Sequence, residues 1–189
     1  MAYETYTPLF HEIFTKVNNA KDKAKKVAVL RKYDSANLRA FLMCAFNPDI
    51  EWMLPEGSVP YMPNDAPDGT EHSSLSQEVR SIHNFVKRKV TGSNDEWIIG
   101  NQTLNATKRE MLFIQLLEGL SAGEAECMCL AKDRTLHRKY KGLNANSVRE
   151  AFGWNDDFCD PVLMAERDAA PGVDLGRTPA DIAELNRTG

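Results

Sequence analysis

The sequence predicts an all-α protein, and three observations carry that prediction. Apolar residues recur at helical spacing in one segment after another, strand-like alternation is scarce, and Ser, Thr or Asp stands just ahead of most periodic segments, where a helix N-cap belongs. The chain has 189 residues, enough for one domain with or without an arm, and about 150 residues bury a sizeable core without staples. It is 42% apolar and 26% charged, the balance of a soluble globular chain.

Taken in order, Thr7 and Pro8 form a start signal, and Leu9, Phe10, Ile13, Phe14 and Val17 keep helical spacing behind it. A second helix over about 20–33 sets Lys21, Lys25 and Lys32 on one stripe and turns Ala24, Val27 and Ala28 away. Asp34 or Ser35 caps a third, with Leu38, Phe41, Leu42 and Ala45 facing the core, and Pro48 ends helicity. Residues 55–74 hold Pro55, Pro60, Pro63 and Pro67 with Gly57 and Gly69, which is a long loop of the kind that commonly carries function. Ser74 caps a fourth helix over 75–90, striped by Leu75, Val79, Ile82 and Val86, with Arg80, Asn84 and Lys87 on the opposite face beside Arg88. A second loop follows, with a short extended piece at 97–99.

Residues 106–119 are apolar nearly all round, through Met111, Leu112, Phe113, Ile114, Leu116 and Leu117, which predicts a central buried helix. Ser121 with Glu124 makes a capping box and launches the next helix, with Ala125, Met128 and Cys129 inward. Gly142 breaks the chain, and a short helix over 145–152 packs Val148 and Phe152. Beyond Trp154 the pattern dissolves, until Thr178 and Pro179 repeat the start signal for a last short helix with Ile182 and Leu185. The expectation is a compact bundle of about six to seven helices over 1–154, with an extended acidic C-terminal arm over 155–189.

Several classes of function are disfavoured. The apolar run FLMCAF at 41–46 is far short of a membrane span. The first residues lack the basic start and continuous apolar stretch of a signal peptide, so a cytoplasmic location is expected. Cys127 and Cys129 form C-x-C on a helix, where neighbours two apart point to different faces, and no second ligand pair follows; small reduced thiols are expected, with no metal. Asp156, Asp157 and Asp160 read as a solvated acidic linker, His11 as a boundary residue and His83 as a partly buried one. No phosphate-binding loop, nucleophile elbow, zinc-protease or dinucleotide motif occurs, so neither an enzyme nor a cofactor is expected.

The net charge of −4 hides an asymmetry. Residues 16–152 carry 20 Lys or Arg against 17 Asp or Glu, whereas residues 153–189 carry 3 against 8. The stretch EAECMCLAKDRTLHRKYKG, 124–142, passes from apolar residues to Lys132, Arg134, Arg138, Lys139 and Lys141. A basic-leaning body with an acidic arm points to an anionic partner for the body and a separate role for the arm.

The segment FIQLLEGLSAGEAECMCLAKDRTLHRKYKGLNANSVREAF, 113–152, resembles the end of the helical N-terminal DNA-binding domain of ATP-dependent DNA ligases, those of large tailed phages above all. Leu116, Leu117, Leu120, Ala125, Glu126, Lys132, Asp133, Gly142, Val148 and Phe152 stand at matching places. Residues 28–54 and the RKVTG of 88–92 resemble earlier segments of that domain, so the likeness covers about 16–153. The chain departs from it at Met128 to Leu130, where family members carry a basic pair, and in the inserted RTLHRKYK. The family's adenylated-lysine motif, K-x-D-G, is absent: APDGTEH holds the Asp-Gly alone.

The resemblance implies a non-enzymatic, phage-encoded module that grips double-stranded DNA through its phosphates, in the host cytoplasm or in a virion. The expected contacts are Lys87, Arg88, Lys132, Arg134, Arg138, Lys139 and Lys141, with Asn144, Asn146 and Ser147 at a helix N-terminus that offers N–H groups to an anion. The alternative expectation is a virion or protein-interaction component that keeps the fold without DNA binding, with a protein partner on the 155–189 arm. The net charge and the missing basic pair favour that alternative.

Overall fold

The computed structural model describes residues 6–67, 70, 73–153 and 160–162. Among them the chain runs α1 (Phe10–Asn19), α2 (Lys23–Lys32), α3 (Ala36–Phe46), β1 (Ile50–Trp52), α4 (Leu75–Glu78), a 3-10 segment (Val79–Phe85), β2 (Val86–Lys89), β3 (Trp97–Ile99), α5 (Ala106–Gly119), α6 (Ala122–Lys132), α7 (Leu136–Lys139) and α8 (Ala145–Phe152). The fold is predominantly helical, but it is not all-α: three short strands form an antiparallel sheet of order β1-β2-β3.

Helix starts follow local capping chemistry. Asp22, Ser35, Asn105 and Asn144 each accept a hydrogen bond from the backbone N–H three residues on, at 2.8, 3.1, 2.9 and 3.0 Å. The first helix begins later than Thr7 and Pro8 suggest, because the Glu12 carboxylate accepts the Leu9 N–H at 2.7 Å and sets Leu9 as the cap. At α6, Ser121 accepts from the Glu124 N–H at 3.3 Å. The Glu124 side chain does not complete the capping box. It is buried and instead accepts the Leu75 N–H at 3.0 Å, so one carboxylate ties the start of α4 to α6.

The expected helix over 75–90 is the main correction to the secondary structure. Its apolar stripe is real, since Leu75, Val79, Ile82 and Val86 are all buried. The helix nevertheless tightens into 3-10 geometry at Val79 and becomes strand at Val86. Val86 pairs with Trp52, Lys87 with both Glu51 and Ile99, and Arg88 with both Ile50 and Ile98. Pairing on both sides satisfies the β2 backbone, which a frayed last helical turn would not. Gly100 closes the sheet: a Cβ there would lie 2.1 Å from the His83 carbonyl oxygen, so only glycine allows the approach.

The core gathers α1, α3, the 3-10 segment, α5 and α6. Phe14 and Phe41 stack at 5.7 Å, and the Tyr140 ring meets Phe14 edge-on. Phe85 and Phe113 are edge-to-face at 5.2 Å. Helix α5 is buried along Arg109, Phe113, Leu116 and Leu117. Met111 is 56% and Leu112 37% exposed, so the helix is not covered all round as its composition suggests. On α6, Cys127 is buried more deeply than Cys129. In α2, Val27 and Leu30 are buried, whereas Ala24 and Ala28 are exposed.

Asp160 and Val162 are fully buried, so this part of the arm belongs to the folded body and not to a solvated linker. Asp156, Asp157 and the expected helix around Ile182 and Leu185 lie outside the described residues. No described helix is long and apolar enough to cross a membrane.

Candidate functional site

The expected DNA contacts rest on charge. The structure shows what each side chain touches, and most touch the chain itself. Strand alternation turns Arg88 toward the core with Val86, where its Nε lies 2.5 Å from Asp160. Lys87 points to the other face, forming an ion pair with Glu51 at 2.9 Å, and its Nζ sits 4.3 Å from the centre of the Trp97 ring. Lys139 pairs with Glu126. Ser147 is buried, and the Asn144 side chain is engaged as the α8 cap.

Lys132 and Arg134 need firmer correction. The Lys132 side chain is 1% exposed. Its ammonium donates to the Pro55 carbonyl at 2.7 Å, the Gly57 carbonyl at 3.1 Å and the Asp133 carboxylate at 2.5 Å. A lysine has three N–H donors, and all three are used inside the protein. It clamps the proline-rich loop onto α6, with Asp133 accepting the Gly57 N–H at 3.3 Å from the other side.

Arg134 forms the end of α6. Its φ of 55° lies in the left-handed region. The Thr135 N–H donates to the Leu130 carbonyl at 2.8 Å and the Arg134 N–H to the Ala131 carbonyl at 3.1 Å, the paired bonds of a Schellman motif. Glycine usually occupies that position. Here the arginine contributes its side chain: Nη1 donates to the Asn47 carbonyl at 2.9 Å, joining the C-termini of α6 and α3. Burial pulls its guanidinium down from its ordinary pKa.

Arg138, Lys141 and Asn146 remain exposed, as does Lys139 beside its Glu126 partner. Gly142 beside them packs against the chain itself. Its N–H donates to Asn18 at 3.2 Å, and a Cβ would lie 2.9 Å from both the Val17 carbonyl oxygen and the Lys26 stem. The basic surface that survives is therefore smaller than expected: Arg138, Lys141 and the Glu126-paired Lys139, with Lys26 reaching the same turn.

No chemistry gathers at the described thiols. Cys44, Cys127 and Cys129 are free. Burial pushes Cys127 up to about 12 and Cys129 up to about 11, far from the thiolate a nucleophile needs. Among the described residues no cluster of His, Cys, Asp and Glu could hold a metal ion.

A surface that charge could not reveal lies on α5. At 100° per residue its outward arc runs Glu110, Ile114, Glu118, Met111, Gln115, Leu112. A cleft of about 180 Å³ opens beside Ile114, walled by Leu54, Pro55, Val59 and Pro60 and floored by Phe113. A second, of about 280 Å³, opens beside Leu112, between Glu78, Phe85 and Leu116. Met62, on the proline-rich loop, is 78% exposed, and its N–H donates to Glu118 at 3.1 Å. The sequence did carry a signal for this surface, the all-round apolarity of 106–119, but it read as burial.

The family model of DUF6433 matches residues 13–138, which includes the sheet, the loop, α5 and α6. The chain belongs to this family. DUF6433 is described as a family of unknown function. No curated protein and no solved structure matches the chain. The α5 surface of this DUF6433 member lies within the matched span, as does Arg138, whereas Lys139, Lys141, Asn144, Asn146 and Ser147 lie beyond it.

Proposed function

We propose that this DUF6433 protein is a non-enzymatic interaction module that binds a protein partner through the outward face of α5. One observation carries the reading: α5 is covered on one side, and its outward face leaves the apolar side chains of Met111 and Leu112 exposed, while Met62, also exposed, is held at Glu118 of the same helix. Apolar surface of this kind, rimmed by polar residues, marks contact sites. The module works as part of an assembly, in the infected host's cytoplasm or in a virion. A photo-crosslinking residue at position 111, compared with one at Lys21, tests this in cells expressing the chain. Protein cross-links at 111 that disappear with Leu112→Asp support it; cross-links to nucleic acid from 21, with none from 111, overturn it.

A second reading retains duplex DNA as the partner. It is supported by the resemblance to the ligase DNA-binding domain and by Arg138, Lys141 and Lys26 around the Gly142 turn. Binding there would be weakly sequence-dependent. Arg138→Ala and Lys141→Ala would each flatten the slope of log K against log salt by about 0.9. No duplex binding at low salt removes this reading.

A further inference from the structure

The α5 face has a chemical character that narrows its partner. The two clefts lie on either side of a ridge made by Glu118, Met111 and Gln115. A dry cavity of about 150 Å³ takes a benzene-sized group. The cleft beside Ile114, at about 180 Å³, therefore has room for one large apolar side chain, and the cleft beside Leu112 is larger. The cleft beside Ile114 is an apolar seat, whereas the one beside Leu112 is mixed, with Ser73, Glu78, Ser81 and Asn84 around Phe85 and Leu116. A second helix crossing α5 can set an apolar anchor in the first and a polar or cationic side chain at the second.

Charge decides which helix. Glu110 lines the first cleft and Glu78 the second, with Glu118 on the ridge between them. Lys108 is the exposed cation of α5 among the described residues, because Arg109 is buried and donates to the Asn84 and Leu104 carbonyls. Lys132, at the first cleft, has its donors satisfied by Pro55, Gly57 and Asp133. The face is thus apolar with a net acidic rim. The chain's own C-terminal residues 163–189 carry five carboxylates against three arginines and are poorly matched to it.

We infer that the α5 face docks a basic amphipathic helix of a partner protein, with an apolar anchor in the cleft beside Ile114 and lysine or arginine facing Glu78, Glu110 and Glu118. This rests on the interaction reading above and adds the partner's chemistry.

The test uses the full chain and two synthetic peptides: an amphipathic helix of leucine and lysine, and the same helix with glutamate for lysine. Affinity is read by fluorescence anisotropy and location by amide chemical shifts. The lysine peptide should bind with shifts on α5 and on residues 54–60, weaken as salt rises, and lose roughly tenfold in affinity, equivalent to ~1.4 kcal/mol, with Glu110→Gln and Glu118→Gln together. Both substitutions keep shape, and a side-chain amide at position 118 can still accept the Met62 N–H. Ile114→Asp should abolish binding, with a circular dichroism spectrum matching the parent. Equal binding of the glutamate peptide, or shifts that avoid α5, overturns the inference. Either result leaves the interaction reading to be judged by the cross-link at 111.

Discussion

Arg88 and Asp160 form an ion pair at 2.5 Å with side chains only 16% and 1% exposed. It joins the middle strand of the sheet to a segment some seventy residues further on, and the Asp160 carboxylate also accepts the Val162 N–H at 3.0 Å. Removing one member of a buried pair strands the other charge, at a cost of roughly 3–5 kcal/mol. Asp160→Ala should therefore lower the urea midpoint far more than a surface substitution does. Arg88→Met combined with Asp160→Leu should recover much of the loss. An Asp160→Ala protein as stable as the parent would show that the segment does not hold the body together.

Lys132 supplies the second prediction. Lys132→Met keeps the stem and deletes the ammonium that holds the Pro55 and Gly57 carbonyls. Unmet polar groups at a part-buried site cost about 1–3 kcal/mol each. Amide exchange should rise at Gly57 and Met62, and a protease should cut the loop faster. The salt slope of any DNA binding should stay the same, because this ammonium has no donor to give a phosphate.

At Arg134 two opposed effects can be separated. Arg134→Ala loses the bond to the Asn47 carbonyl and keeps the left-handed φ. Arg134→Gly loses the same bond but relieves the left-handed conformation, worth about 1–2 kcal/mol for a non-glycine residue. Thermal or urea unfolding should rank glycine above alanine by about 1 kcal/mol, less the entropy glycine gains in the unfolded chain. Alanine equal to glycine would mean that the αL conformation is not maintained in solution.

The thiols set an alkaline limit. Burial raises Cys44, Cys127 and Cys129. An ordinary thiol titrates near 8.5, and each tenfold change in proton affinity between the folded and unfolded chain is worth roughly 1.4 kcal/mol. A raised folded-state pKa gives stability that is complete below the unfolded value and lost as pH rises through the folded one. Stability should hold to about pH 8 and then fall as pH climbs toward the folded values of about 11 for Cys129 and about 12 for Cys127, with Cys129 alkylated first. A flat profile over that window would contradict the burial.

Much of the helical layout can be read in the sequence because the causes are local. Ser35 and Ser121 accept N–H groups three residues away, and the spacing of Phe10, Ile13, Phe14 and Val17 defines a buried face whatever it packs against. The extended piece at Trp97–Ile99 is legible for the same reason, since β-branched and aromatic residues follow a Gly-containing turn.

Partner choice over long range is not legible. The stripe of Leu75, Val79, Ile82 and Val86 fits a helix, but β1 and β3 claim the backbone from Val86 onward. Glu124 looks like half of a local box until Leu75 arrives with its N–H. Lys132 and Arg134 look like their exposed neighbours Arg138 and Lys141, because a charge in a sequence carries no record of whether water or a carbonyl will surround it. The α5 face is hidden for the converse reason. Periodicity states which residues are apolar, whereas only packing selects which of them the fold covers. Neighbouring residues alone thus set most of the helices, their caps and the motif-poor character of the chain. Packing set which cations are bound internally and which apolar side chains remain for a partner, because both depend on groups brought together from distant parts of the chain.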